Sequence, residues 1–164
     1  MLVVGAVWAG RIIATGGPVE FHRFTATNAV SGITAKPGRE VVFGYNLIVN
    51  TGDAPVTLTS AAPDGAIDDS VAELIQTYVI DTDEADHDII GVGYHRREPM
   101  MRLAEPLEGY RLAPDQTVSV VLAFRITSTG RQRWPGILVH YTTDAGKQYT
   151  LTSTSGIAIN PEEE

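Results

Sequence analysis

The densest run of ligand-capable side chains is Asp81-Thr82-Asp83-Glu84-Ala85-Asp86-His87-Asp88. A hard cation such as calcium takes roughly six to eight oxygen ligands, and alternating carboxylates in one loop can converge on it. Asp81, Asp83, Asp86 and Asp88 have that capacity and are the candidate calcium ligands. An EF-hand loop starting at Asp81 would need Gly at its sixth position and Glu at its twelfth, where this chain has Asp86 and Val92. The plainer expectation is a solvated acidic loop between two strands, kept extended by its own repulsion.

Histidine and methionine offer a softer metal chemistry. His22, His87, His95 and His140 show neither H-x-H nor H-x-x-x-H spacing, and the chain has no Cys. A copper role would have to combine His95 with Met100 and Met101. The same stretch is also the one basic cluster of an acidic chain: His95-Arg96-Arg97, then Arg102, with Met100, Met101 and Leu103 interleaved. Arginines there can simply pair with Glu98, Glu105 and Glu108. Arg and Met are also favoured in protein interfaces, which makes the stretch a candidate contact surface. Arg131, Arg133 and Trp134 form a smaller set, as a cation–π neighbour pair or as a tryptophan capping the core. The candidate partner contacts are therefore His95, Arg96, Arg97, Met100, Met101, Arg102 and Trp134.

Other chemistry finds little support. No G-x-S-x-G elbow and no phosphate-binding glycine loop occurs. Gly91-Val92-Gly93 lies in an expected strand and marks a bulge or a close backbone approach. Without Cys there are no disulfides, thiolate metal sites or cysteine nucleophiles. With 12 Lys plus Arg against 20 Asp plus Glu and a net charge of −8, general phosphate-backbone binding is disfavoured. No cofactor other than calcium is expected, and the chain is read as non-enzymatic.

The elements that must position these residues are strands. Apolar residues alternate at Val41, Phe43, Tyr45, Leu47 and Val49, and again at Val56 and Leu58 after a turn at Thr51-Gly52-Asp53. A cleaner run is Val118, Val120, Leu122, Phe124 and Ile126, set against Thr117, Ser119 and Arg125. Ile137, Val139 and Tyr141, a turn at Asp144-Ala145-Gly146, then Tyr149 and Leu151 read as a hairpin. Further strands are expected over 19–27 and 88–94. Around 69–74 a short helix or turn leads into a strand, because Val71, Leu74, Ile75, Tyr78 and Val79 fall on one helical face. These 164 residues can bury a full single core. About eight or nine strands separated by Gly, Pro, Asp and Asn turns predict an all-β, antiparallel, immunoglobulin-like sandwich.

The organisation expected is an apolar N-terminal segment (1–14), a sandwich domain (15–160) and an acidic tail (161–164). The segment MLVVGAVWA is far shorter than the roughly 20 apolar residues of a membrane-spanning helix. Two readings stay open: a first strand docked on the domain, or the outer end of a membrane anchor with Trp8 at the interface.

Two stretches resemble immunoglobulin-like sandwich domains of bacterial extracytoplasmic proteins. Pro37-Gly38 leading into Val41 to Val49, then Asn50-Thr51-Gly52-Asp53-Ala54-Pro55-Val56, is similar to the strand–turn–strand hairpin of CARDB and NEW3-type modules. Tyr110-x-Leu112-x-Pro114 leading into Val118 to Phe124 is similar to their later edge-to-core strand. The resemblance implies a binding, spacing or assembly module on the outer side of a membrane. With the N-terminal segment as its tether, the chain is expected to be membrane-anchored and to contact a protein partner or membrane-complex subunit. Asn50 to Ala54 and Gly109 to Val118 also echo turns of periplasmic copper chaperones of the PCuAC type, whose His-x-Met pairs are missing here. The alternative function is accordingly metal handling, with calcium before copper.

Overall fold

The computed structural model describes residues 7–8, 11–14, 16–22, 30–88 and 90–160, the first two stretches by their backbone. In chain order the strands are β1 (Val7–Trp8), β2 (Arg11–Ala14), β3 (Val19–Phe21), β4 (Val30–Ile33), β5 (Glu40–Phe43) and β6 (Leu47–Asn50). Next come β7 (Val56–Pro63), β8 (Ala72–Asp81), β9 (Val92–Tyr94), β10 (Glu105–Pro106), β11 (Arg111–Leu112) and β12 (Thr117–Ile126). The last four are β13 (Gln132–Trp134), β14 (Ile137–Thr143), β15 (Gln148–Thr152) and β16 (Gly156–Ile159). Two single-turn 3-10 segments, His95–Arg97 and Pro99–Leu103, lie between β9 and β10. Among the described residues no helix is long and apolar enough to cross a membrane.

The result is an all-β sandwich. The front sheet runs β10-β8-β12-β5-β9, with β6 also on β12 and β3 on β6. The back layer holds β1-β2-β15-β14-β7-β11 and the smaller β13-β16-β4. Pairing is antiparallel except for β2 on β15 and β4 on β16. Front and back meet in one core, to which β12 gives Val118, Val120, Leu122 and Phe124, and β14 gives Ile137, Val139 and Tyr141. The 137–151 hairpin is present with Tyr141 opposite Tyr149. Of the expected strand over 19–27, β3 is seen and residues 23–29 lie outside the described residues, as does the acidic tail.

Several expectations need correcting. The Asn50-Thr51-Gly52 turn does not close a hairpin, because β6 belongs to the front sheet and β7 to the back. Asn50 is fully buried there; its Oδ1 accepts from Gly52 N (3.0 Å), while Nδ2 donates to Ala54 O (2.9 Å) and Leu112 O (3.1 Å). Those bonds carry the chain across the layers without orphaned polar groups. Of the helix or turn expected around 69–74 it is the turn that forms: Asp68 accepts from Ser70 N (3.0 Å) and Oγ (2.6 Å), and the chain runs on into β8 at Ala72. The expected 41–49 run is split into β5 and β6. Between β13 and β14 the chain kinks at Gly136, where a Cβ would sit 1.9 Å from the Ser153 carbonyl oxygen. Between β5 and β6, Gly44 N bonds Gly91 O (2.9 Å) and the Ser119 hydroxyl donates to Gly44 O. Ser119, expected to face water, is therefore buried.

A second apolar cluster lies on the outside of the front sheet. Val42, Ile80, Val121 and Ala123 form it with Ala85 and Ile90, and Met100, Met101, Leu103 and Ala104 pack against it. Strand β12 is thus covered on both faces, like a strand of a doubly covered sheet.

Candidate functional site

Strand β5 pairs antiparallel with β9, setting Val41 opposite Tyr94. That register brings the turn before β5 beside the 3-10 turn that follows β9. The first turn is fixed by Gly38 N to Ile126 O (2.8 Å), Arg39 N to Lys36 O (3.2 Å) and Ile126 N to Arg39 O (2.8 Å). Gly38 takes a left-handed φ of 83° at its apex, a conformation glycine adopts without strain. The second turn is closed by Glu98 N to Tyr94 O (3.2 Å). Between them lies a cleft of about 170 Å³ lined by Gly38, Arg39, Glu40, Tyr94, Arg96 and Arg97.

The charges in this corner are unequal. Arg39, Arg96 and Arg97 are exposed, and among the described residues none of them makes an ion pair. The Arg97 guanidinium lies over the Tyr94 ring, 5.7 Å from its centroid, and the Tyr94 hydroxyl reaches Thr34 O at 3.5 Å. Glu40, the one carboxylate of the lining, is already engaged: Arg125 approaches it at 3.3 Å and His95 Nδ1 at 3.9 Å. Arg125 also reaches Glu73 at 3.5 Å.

Of the expected contact residues, Arg96, Arg97 and Arg102 are exposed, and none pairs with Glu98, Glu105 or Glu108. The others turn inward. Met100 and Met101 are half-buried against the front sheet's outer cluster, because β12 and β5 present apolar residues on that face too. His95 is half-buried between Glu40 and the Tyr78 ring (5.9 Å), its Nε2 enclosed with no hydrogen-bond partner among the described residues. Trp134 is 2% exposed, stacked on Phe124 (5.5 Å, 18°), with Nε1 donating to Ala66 O at 2.9 Å. It caps the core and is no contact residue. Arg39 was not expected at all; only the β5–β9 register, which no spacing announces, places it beside Arg96 and Arg97.

The four candidate calcium ligands are not drawn together. The 82–88 segment coils through Ala85 N to Asp81 O (3.1 Å), His87 N to Thr82 O (2.7 Å) and Asp88 N to Ala85 O (2.9 Å). Asp81 is consumed locally: Oδ1 accepts from Asp83 N (2.8 Å) and Oδ2 from the Gln116 amide. Asp83 points outward toward His87 (3.8 Å), and Asp86 and Asp88 are exposed. Among the described residues no group of three or more His, Asp and Glu is placed to hold a metal. The His95–Met100–Met101 set fares no better, since both methionines are spent on packing.

Described residues also line other concavities. One, of about 330 Å³, is lined by His22, Asp83, His87 and Asp115 with Thr82 and Thr117. Another, of about 460 Å³, lies on the β7–β14–β15 face and includes His140, whose Nδ1 is 2.8 Å from the Thr150 hydroxyl. Burial holds the His140 imidazole below its ordinary pKa.

No family model and no curated protein matches the sequence. Solved structures give distant likenesses. The ASH/PapD-like domain 7 of human CEP192 aligns over 100% of this chain and 98% of its own, at 17% identity and a TM-score of 0.41. The N-terminal domain of PorA aligns over 86% and 95%, at 11% identity and 0.36. The VesB protease of Vibrio cholerae aligns over 88% of this chain at 10% identity and 0.41, and this chain spans only 32% of it. At such scores the likenesses carry no argument about function, and the sandwich assignment rests on the sheets themselves.

Proposed function

We propose that the chain is a non-enzymatic binding or structural module that makes protein–protein contact through its arginine corner, as part of an extracytoplasmic, membrane-anchored protein or assembly. The observation that carries the contact reading is that Arg39, Arg96 and Arg97 are exposed and make no ion pair among the described residues, on a chain of net charge −8. Guanidiniums without an ion pair among the described residues, on hydrogen-bonded turns, are poised for contact: the backbone already has its bonds, so binding need not order it. Arginine's planar, five-donor fork suits such a surface. Location rests on the resemblance of the 37–56 and 110–124 stretches to extracytoplasmic bacterial domains, and the tether on the apolar sequence of residues 1–14.

The test uses a photo-activated cross-linker at exposed Arg102, next to the corner, and at Asp144 on the distant β14–β15 turn. In the native cell, the Arg102 position is expected to capture one identifiable protein and the Asp144 position none. The adduct is expected to disappear when Arg96→Glu and Arg97→Glu are added. Equal capture from both positions, or an adduct that survives the reversals, overturns the reading.

A further inference from the structure

We infer that the arginine corner takes an extended, glutamate- or aspartate-rich segment of a partner protein, with carboxylates seated between Arg39 on one side and Arg96 and Arg97 on the other. This rests on the contact reading above and names the chemistry of the occupant.

Three features of the cleft select that occupant. The first is charge. Lys36, Arg39, Arg96, Arg97 and Arg125 are five of the chain's 12 basic residues, gathered around β5 and β9. Arg125 is taken up by two carboxylates, Glu40 at 3.3 Å and Glu73 at 3.5 Å, which leaves Arg39, Arg96 and Arg97 to face the cleft. At Arg39, Arg96 and Arg97, which make no ion pair among the described residues, an incoming carboxylate can be gripped with two parallel N–H donors.

The second is size. A pocket for a cofactor or drug-sized ligand is typically about 300–1,000 Å³, whereas this cleft is about 170 Å³. It has room for one or two acidic side chains projecting from a chain that continues across the surface. A lone small anion would meet exposed arginines in water, where single ion pairs are weak. A segment carrying several carboxylates engages both turns at once.

The third is the field of the rest of the molecule. Net charge of −8 repels an extended polyanionic surface such as nucleic acid or an anionic bilayer. Repulsion from the remote acidic faces is screened beyond roughly 8 Å at physiological salt. A short acidic segment that stays inside the corner escapes it. Tyr94 helps fix the site, tied to Thr34 O through its hydroxyl and carrying Arg97 on its ring.

The probe is a fluorescein-labelled hexaglutamate peptide titrated against the full chain and followed by anisotropy, with hexalysine and inorganic phosphate as comparisons. Hexaglutamate is expected to bind, and binding to weaken at least about tenfold in the Arg39→Glu, Arg96→Glu, Arg97→Glu variant, as for loss of interface anchors. Arg133→Glu, at an exposed position of β13, is expected to leave it unchanged. Circular dichroism confirms that each variant is folded. Equal weakening by Arg133→Glu, or inorganic phosphate displacing the peptide at matched ionic strength, overturns the inference. If hexaglutamate fails to bind while the Arg102 cross-link is still lost on reversal, the acidic occupant is rejected and the contact surface stands.

Discussion

The 81–88 loop and the 95–103 segment leave the front sheet as two charged stretches, and both rest on the same outer apolar cluster. Ala85 anchors the first, while Met100, Met101 and Leu103 anchor the second. They differ in what becomes of the charge. In the acidic loop Asp81 is absorbed by a backbone amide and the Gln116 side chain, and the remaining carboxylates fan outward. In the basic segment the apolar residues take the inner side, and the arginines meet a third arginine from the turn before β5. A charge run thus becomes structural where neighbouring donors satisfy it, and a surface where distant strands add like charge to it.

The largest expected effect separates stability from contact. Trp134→Ala removes a buried indole stacked on Phe124, so urea unfolding should show a loss of about 3–5 kcal/mol. Hexaglutamate affinity of the folded fraction should not change; if it does, Trp134 belongs to the contact surface after all.

The division within 95–103 comes next. Replacing Met100 and Met101 by Ala should cost roughly 2 kcal/mol together, since they are half-buried and a fully buried Met→Ala costs about 2–5 kcal/mol. Arg96→Glu should change stability by no more than about 0.5 kcal/mol, as for an exposed residue without partners. A large loss from Arg96→Glu would erase the distinction between the inner and outer sides of this segment.

Smaller effects sharpen the acidic half. Gln116→Ala deletes the amide that meets Asp81 and the Tyr110 hydroxyl (2.9 Å), and should cost roughly 1–2 kcal/mol in the same assay. Least of all should be the response to calcium: with no convergent ligands, millimolar calcium should leave the melting midpoint where it was. A rise would mean that the loop closes on the ion, because a ligand that binds the native state must stabilise it.

The fold class could be read from alternation, and the best runs became β12 and the β14–β15 hairpin. What alternation hid was the second buried face. Val121 and Ala123 sit between the core positions of β12, and Val42 between those of β5; these apolar insertions were the available sign that the front sheet is covered outside. Reading Ser119 and Arg125 as an outward polar face passed over them. The Asn50-Thr51-Gly52 turn signalled reversal correctly but not whether the chain returns to the same sheet, since that depends on which carbonyls Asn50 reaches across the fold. Arg96 and Arg97 could be picked out as a local cluster. Arg39 could not, because its place is set by strand pairing alone.

The most direct test of the central claim exchanges charge in the two regions and follows the same cross-link. One variant carries Arg39→Glu, Arg96→Glu and Arg97→Glu; the other carries Asp83→Lys, Glu84→Lys and Asp88→Lys, all at exposed positions. With the photo-cross-linker held at Arg102, the first variant is predicted to lose the partner adduct and the second to keep it. An adduct abolished by the acidic-loop variant and retained by the arginine variant would contradict the account.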